Sequence, residues 1–409
     1  MSSSTTTAPS LTLPASAPAS AKAAMRLLRQ LRVGTLDMQL PDGRSARFGS
    51  GVEGEPRAAM RLHNWKVCAA ALRSGDIGFA EAFIAGDWNS PDLVALLKLF
   101  IANRDEVEAV IYGSWWGSLL YRAKHHLNRN SRRGSRKNIH AHYDLGNAFY
   151  KLWLDDTMSY SGALFEGDTS RPMADAQWAK VRRALDECAL QPGKRLLEMG
   201  CGWGGVAEYA TRQRQAHVTG ITLSREQLDF AQQRLVAHGL HERAELRLQD
   251  YRELRDEPFD AVVSIEMFEA VGREYWPSFF AKLRDMLKPG ARACIQSITI
   301  RDDLFERYVA STDFIQQYIF PGGLLPSASV FRQQAEAAGL AICNELSFGA
   351  DYAETLRQWR TRFLAREGDV RGLRFDTRFM RIWEFYLAYC EAAFATGNTD
   401  VVQFTLQRR

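Results

Sequence analysis

An α/β fold, with a doubly wound and mostly parallel sheet preceded by a smaller N-terminal α+β domain, is predicted by three observations. Strand and helix signals alternate from Arg171 onward. An apolar strand ends in an acid and a glycine-dense turn over residues 196–205. Polar side chains also recur at the carboxyl ends of the strands, where ligands of such sheets lie. The 409 residues, 46% of them apolar, suffice for two domains with a large core.

Residues 1–22 are Ser, Thr, Ala and Pro with almost no large apolar side chain, so a disordered tail is expected. A folded unit follows over 23–113. It opens on a strand at 33–40, and Pro41-Asp42-Gly43 signals a hairpin. Trp65, Val67, Cys68, Ala71 and Leu72, then Phe79, Phe83, Ile84, Leu93, Leu96, Leu97 and Phe100, have the spacing of amphipathic helices.

Residues 114–137 read as an amphipathic basic linker. Trp115, Trp116, Leu119 and Leu120 form one stripe, and seven Lys and Arg residues follow without an Asp or Glu, in a chain whose net charge is only +4. A membrane surface fits this stretch, each basic residue near anionic lipid contributing ~1 kcal/mol. A solvated linker or a nucleic-acid patch are the other readings. No second basic cluster supports nucleic acid, which is not expected as a partner.

The catalytic domain is expected over 138–409. A helix to 188 precedes a strand at 195–198, a helix at 206–213, a strand at 217–222, a helix at 224–238 and a strand at 244–248. A strand at 259–265, a helix at 275–287, the Lys288-Pro289-Gly290 turn and a strand at 292–298 continue the pattern. Strand ends then carry Glu198, Thr222, Asp250 and Glu266 with Glu269. No apolar stretch reaches the ~18 residues of a membrane span, and the N-terminus lacks the basic-then-apolar order of a secretory signal. A cytoplasmic enzyme is therefore expected. Cys68, Cys188, Cys201, Cys294, Cys343 and Cys390 are scattered, so free thiols are expected rather than disulfides or a metal site.

The glycine turn has two readings. Gly200, Gly202 and Gly205 satisfy the dinucleotide pattern, whereas Glu198, Gly200, Gly202 and Gly204 satisfy the E-x-G-x-G-x-G pattern of S-adenosylmethionine enzymes. A dinucleotide site carries an acid at the end of the second strand to hold the ribose. Here that strand ends in Thr222-Leu223-Ser224, which favours the sulfonium cofactor. A nicotinamide oxidoreductase and a non-catalytic lipid-binding protein are the rival classes.

Further motifs resemble those of the cyclopropane-fatty-acyl-phospholipid synthases and the mycolic acid cyclopropane synthases and methyltransferases. They are His142-Tyr143-Asp144-Leu145-Gly146-Asn147, Met158-Ser159-Tyr160-Ser161, Gln249-Asp250-Tyr251, Met267-Phe268-Glu269, the 318–323 run and Phe348-Gly349-Ala350-Asp351-Tyr352, in family order along most of the chain. The resemblance implies a class I S-adenosylmethionine-dependent methyltransferase (Rossmann-like). Such an enzyme adds the cofactor's methyl carbon to the cis double bond of a phospholipid acyl chain. A carbocation then loses a proton and closes a cyclopropane ring, or gives a methyl-branched or methylidene chain. It also implies peripheral association with the inner face of the membrane and leaves a homodimer open.

By the same resemblance, cofactor contacts fall on Tyr160, Ser161, Glu198, Gly200, Cys201, Gly202, Gly204, Thr222, Ser224, Gln227, Gln249 and Asp250. Ser224 before Arg225-Glu226-Gln227 also fits a plain capping box. Tyr143, Tyr160, Phe268, Tyr318, Phe320 and Tyr352 are candidate aromatic faces for the cation. Proton removal in the family uses bicarbonate held by a glutamate, a histidine, a tyrosine and nearby backbone. Glu269 and Tyr352 match, Gln296 stands in place of the histidine, and Gly162 stands in place of a cysteine. Cys390 aligns with a cysteine assigned as catalytic, a buried thiol being its other reading.

Overall fold

The structure, a computed structural model, describes residues 13, 14, 16–107 and 145–409. The expected linker at 114–137 and Tyr143 lie outside these residues. The chain forms two compact units. One joins the N-terminal part to Ser311–Phe314 and Asp376–Thr396, and the other holds Lys124–Ala310, Ile315–Phe375 and Gly397–Arg409. The continuous catalytic domain expected over 138–409 is thus interrupted.

In the first unit, α1 (Ala19–Leu28) starts inside the expected tail, because Ala21, Ala24 and Met25 give it a buried face. β1 (Thr35–Gln39) and β2 (Ser45–Gly49) form the expected hairpin, and β3 (Arg57–Leu62) pairs parallel with β1. α2 (Lys66–Ile84) breaks at Ser74 and Gly75, and α3 (Leu93–Ala102) follows the short β4 (Trp88–Asn89). Trp88 is fully buried, stacks on Phe79 at 4.2 Å and donates its Nε1 proton to the Phe79 carbonyl at 3.0 Å. Helix Thr377–Ala395 belongs here because Phe385 packs against Phe79 and Phe83, and Arg381 lies 4.0 Å over the Phe83 ring. Its aromatic stripe is unrelated to the parallel sheet, which is why an alternating strand–helix pattern gave no sign of where it docks.

The second unit is built on a seven-stranded sheet of order β10-β11-β9-β8-β5-β6-β7. Its strands are β5 (Arg195–Met199), β6 (His217–Thr222), β7 (Ala244–Leu248), β8 (Phe259–Ile265), β9 (Leu287–Ile300), β10 (Leu340–Ser347) and β11 (Thr399–Arg408). The five from β7 to β9 run parallel, and β11 lies antiparallel between β9 and β10. The Lys288-Pro289-Gly290 segment is absorbed into the start of β9, where the pairing with β8 shifts register between Phe259 and Ala261.

Helices cover both faces. α4 (Met173–Glu187), α5 (Gly205–Arg214) and α6 (Arg225–Ala237) pack Leu185, Ala210 and Leu228 with Leu196, Val218 and Val263. α7 (Trp276–Met286) packs Phe279, Phe280 and Leu283 with Leu197, Val262 and Phe404 on the other face. Each such side chain contributes ~1.5–3 kcal/mol on burial. α8 (Gly349–Ala365) lies beside β11. The sheet reverses direction of growth between β5 and β8, and ligands bind at the carboxyl ends beside that reversal. Among the described residues, no helix is long and apolar enough to cross a membrane. All six cysteines are free.

Candidate active site

The glycine turn is held from several sides. The N–H groups of Gly200 and Cys201 both donate to the Ile221 carbonyl, at 3.0 and 2.8 Å, and that of Gly204 donates to the Cys201 carbonyl at 2.8 Å. These three amides are therefore spent on the fold. Gly204 is required at its position: it has φ +82, and a Cβ there would stand 2.9 Å from that of Ala231. Trp203 donates its Nε1 proton to Asn147 Oδ1 at 2.7 Å, and Asn147 Nδ2 donates to the Glu226 carbonyl at 3.2 Å, tying the turn to α6.

Hydrogen bonds join Thr222, Ser224, Gln227 and Gln249, while Asp250 and Ser161 have other partners. Thr222 Oγ1 donates to Gln227 Oε1 at 3.1 Å, and Ser224 Oγ accepts from the Gln227 N–H at 3.2 Å, so the capping reading of Ser224 holds. The Gln249 N–H donates to the Thr222 carbonyl at 3.0 Å. Asp250 is buried and takes the Arg252 guanidinium on both oxygens, at 2.8 and 2.5 Å. Ser161 Oγ accepts from Lys180 Nζ at 2.5 Å. Its hydroxyl is thus engaged by the protein.

Glu198 differs from these. It is 3% exposed, its Oε2 has no hydrogen-bond partner among the described residues, and burial pushes its carboxyl well above the usual range. An orphaned buried oxygen suits a cationic ligand with hydrogen-bond donors, which S-adenosylmethionine is. A cation binds the ionised carboxyl, so binding releases a proton and tightens as pH rises. Glu198→Gln is expected to weaken adenosylmethionine ~10-fold or more, the worth of a charged hydrogen bond. It should also flatten the pH dependence, which calorimetry in buffers of different ionisation enthalpy would read.

The second cluster centres on Glu266 at the end of β8. Its Oε1 accepts from the Gly162 N–H at 2.9 Å and from Gln296 Nε2 at 2.8 Å, and its Oε2 accepts from the Tyr352 hydroxyl at 2.7 Å. The resemblance grouped Glu269, Tyr352, Gln296 and Gly162 around an anion, whereas the last three meet here at Glu266. Glu269 instead accepts the Ile298 N–H on Oε1, and its Oε2 has no partner among the described residues. The cause is backbone geometry. Glu266 has φ +49, a left-handed conformation uncommon for a side-chain-bearing residue, and its N–H donates to the Gln296 carbonyl at 2.8 Å. That the strand end carried two acids was visible in the sequence; which one meets Tyr352 was not.

One further glutamine, Gln403, and an arginine, Arg183, were missed. Gln296 faces Gln403 across the β9–β11 ladder, and Gln403 Nε2 donates to Gln296 Oε1 at 3.0 Å. Arg183 on α4 donates to Gln403 Oε1 at 2.6 Å. This chain leaves Gln296 one orientation, with its NH₂ toward Glu266. Burial raises the Glu266 carboxyl, opposed by Lys180, Tyr352, Gly162 and Gln296. Burial and then the neighbouring Glu266 push Glu269 to about 8. Both acids are thus raised by burial, but Glu266 alone has a cation and three hydrogen-bond donors opposing it. Of the groups assigned by resemblance to a bicarbonate, Gly162, Gln296 and Tyr352 are already bonded to the Glu266 carboxylate, which occupies the donors a separate anion would take, whereas Glu269 is not.

Aromatic rings adjoin this cluster. Tyr160 lies 5.5 Å from both Trp153 and Trp359 and 6.5 Å from Phe320, and Trp359 meets Tyr352 edge-on at 6.2 Å. Trp153 and Trp359 were not anticipated, having no motif around them. Phe268 is core instead, enclosed by Trp276, Phe279, Phe280 and Phe331. Cys390 belongs to the first unit, where burial and then Asp313 raise its thiol far above the ordinary range. Such a thiol is a poor nucleophile.

Residues 130–404 match the family model described as mycolic acid cyclopropane synthetase. The chain is 39% identical over 402 residues to tuberculostearic acid methyltransferase UfaA1 of Mycobacterium tuberculosis (strain ATCC 25618 / H37Rv), covering 96% of this chain and 92% of that protein. It is 32% identical over 365 residues to the cyclopropane-fatty-acyl-phospholipid synthase of Escherichia coli (strain K12), covering 89% and 91%. A crystal structure of mycolic acid cyclopropane synthase CmaA1 complexed with SAH and CTAB superposes with a TM-score of 0.63 at 34% identity, over 67% of this chain and 98% of that one. Sheet order, glycine turn and these likenesses define an S-adenosylmethionine-dependent methyltransferase of class I fold. Within that class, the chain belongs to the mycolic acid cyclopropane synthetase family.

Proposed function

We propose that this enzyme methylates the cis double bond of an unsaturated fatty acyl chain, presented by phospholipid at a membrane surface, and that Glu266 removes the proton that ends the reaction. The cofactor, when bound, supplies an electrophilic methyl group, and residues Glu198, Thr222, Gln227 and Gln249 lie where they would hold it. The alkene's π electrons would form the new carbon–carbon bond as the methyl group's bond to sulfur breaks, that electron pair staying on the neutral thioether that leaves. A carbocation would remain on the chain. The rings of Tyr160, Trp153 and Trp359 offer negative faces to that charge, at ~0.5–2 kcal/mol each. A proton passes to Glu266, and the C–H electron pair closes the cation.

The observation that carries this reading is the carboxylate already seated among the Gly162, Gln296 and Tyr352 donors. Held there, the chain's own base takes the role that a bound anion would have. A methylidene chain is the product we favour, by a hydride shift and loss of a proton from the new methyl. The relative matching nearly the whole chain at 39% is named a tuberculostearic acid methyltransferase, which supports methyl branching over ring closure.

Vesicles of unsaturated phospholipid and labelled adenosylmethionine would test it. The methylidene and cyclopropane products are isomers, and ozonolysis cleaves only the first. Cleavage of the labelled chains is expected. Labelled chains that resist ozone would overturn the methylidene product, and unlabelled chains would overturn acyl methylation itself.

A further inference from the structure

Lys180 is 1% exposed, and a lysine is almost never so buried without a compensating charge. Nothing in the reaction described so far uses it. From α4, its Nζ donates to Ser161 Oγ at 2.5 Å and to Gln177 Oε1, neither of which carries a charge. Gln177 in turn donates from Nε2 to the Ser161 carbonyl at 2.9 Å, so Ser161 is gripped at both its oxygens. The next residue, Gly162, gives its N–H to Glu266. Adjacent residues therefore hold the two charges, the Ser161 hydroxyl meeting the ammonium and the Gly162 N–H the carboxylate. A second path joins them: Gln403 Nε2, which orients Gln296, also donates to the Lys180 carbonyl at 3.2 Å.

We propose that Lys180 is a positioning residue whose buried ammonium keeps Glu266 ionised and ready to accept the proton. This rests on the reading of Glu266 as the base. The other groups acting on Glu266 are few. Glu269, on the short helix Phe268–Ala270, is a second acid beside it, Tyr352 on α8 donates to it, and Arg183 reaches it only through Gln403 and Gln296. Lys180 is the largest influence opposing the effect of burial on Glu266. Burial lowers Lys180 to about 8, with Glu266 and then Asp155 holding it up, so the charge is present at neutral pH. Above that pH the ammonium discharges.

The test is the pH profile of turnover for Lys180→Met and Lys180→Gln beside the wild type and Glu266→Gln. Met removes charge and donor together, whereas Gln keeps a donor for Ser161. Both are expected to move the acid limb upward by about one pH unit or more, the usual effect of losing a nearby opposite charge. Turnover on the acid limb then drops ~10-fold and approaches the wild-type value as pH rises past it. A merely structural lysine would lower turnover equally at every pH, or would be rescued by Gln; either result overturns the inference. If Glu266→Gln keeps the wild-type limb and rate, the base reading itself fails. If Glu266 is required while both lysine variants keep that limb, only the role of Lys180 fails.

Discussion

Replacing Glu266 by Gln is expected to lower methyl transfer by ~10²–10⁴-fold, the range over which a positioned general base acts, with the fold and cofactor affinity retained. The substitution isolates the proton step because every neighbour keeps a partner. The new amide oxygen can still accept from the Gly162 N–H and from Gln296, and the amide NH₂ can donate to the Tyr352 hydroxyl, which accepts as readily as it donates. Only the basic lone pair is gone. In the wild type, turnover should fall as pH drops and Glu266 takes a proton before the substrate can supply one. Glu269→Gln should cost less than ~10-fold: Glu269 sits near 8 and so is largely a neutral acid at pH 7, and a neutral amide mimics it. Initial rates with labelled adenosylmethionine, beside calorimetric binding, check both. Comparable turnover in Glu266→Gln and wild type would end the assignment. A collapse confined to Glu269→Gln would transfer it to the residue the motif first suggested.

That exchange of roles shows where the sequence was readable. The cofactor half of the site is local: β5, the turn and α5 are consecutive, and alternation of apolar strand, glycines and helix defines them without tertiary information. The Ser224–Gln227 pair was equally visible as a helix cap. The acid cluster is not local. Gly162, Lys180, Glu266, Gln296, Tyr352 and Gln403 come from separate stretches and meet only when β8, β9 and β11 are in register. A one-residue slip in β11 would send Gln403 to the other face. Nor does composition reveal the left-handed backbone at Glu266, which decides that this acid rather than Glu269 meets Tyr352. The family motif marked the correct neighbourhood, but the chain's departures at Gly162 and Gln296 make sense only beside the carboxylate they bind. An amide donates to that carboxylate on one side and accepts from Gln403 on the other.

Gly162 gives the second large effect, and its direction runs against the resemblance. Restoring the family's residue with Gly162→Cys is expected to reduce turnover ~10–100-fold, because the space a side chain would need is filled. A Cβ at Gly162 would stand 2.8 Å from Tyr352 Cδ1 and 2.9 Å from its Cγ, closer than real side chains approach. The ring has little freedom to give way. Tyr352 is 6% exposed and lies edge-on to Trp359. Its helix is anchored to the same loop, where Asp351 accepts from the Phe165 and Glu166 N–H groups and Thr355 accepts from that of Ala163. The tyrosine hydroxyl must therefore leave Glu266 Oε2, losing a charge-assisted hydrogen bond of ~1.5–3 kcal/mol. Because Cβ makes the clash, Gly162→Ala should act in the same direction, which separates crowding from thiol chemistry. Adding Tyr352→Phe to Gly162→Cys should then cost little more, since both remove the same bond, and a double-mutant cycle would show strong coupling. Full activity in Gly162→Cys, or additive losses in the cycle, would mean that crowding at Gly162 does not act through the Tyr352–Glu266 bond.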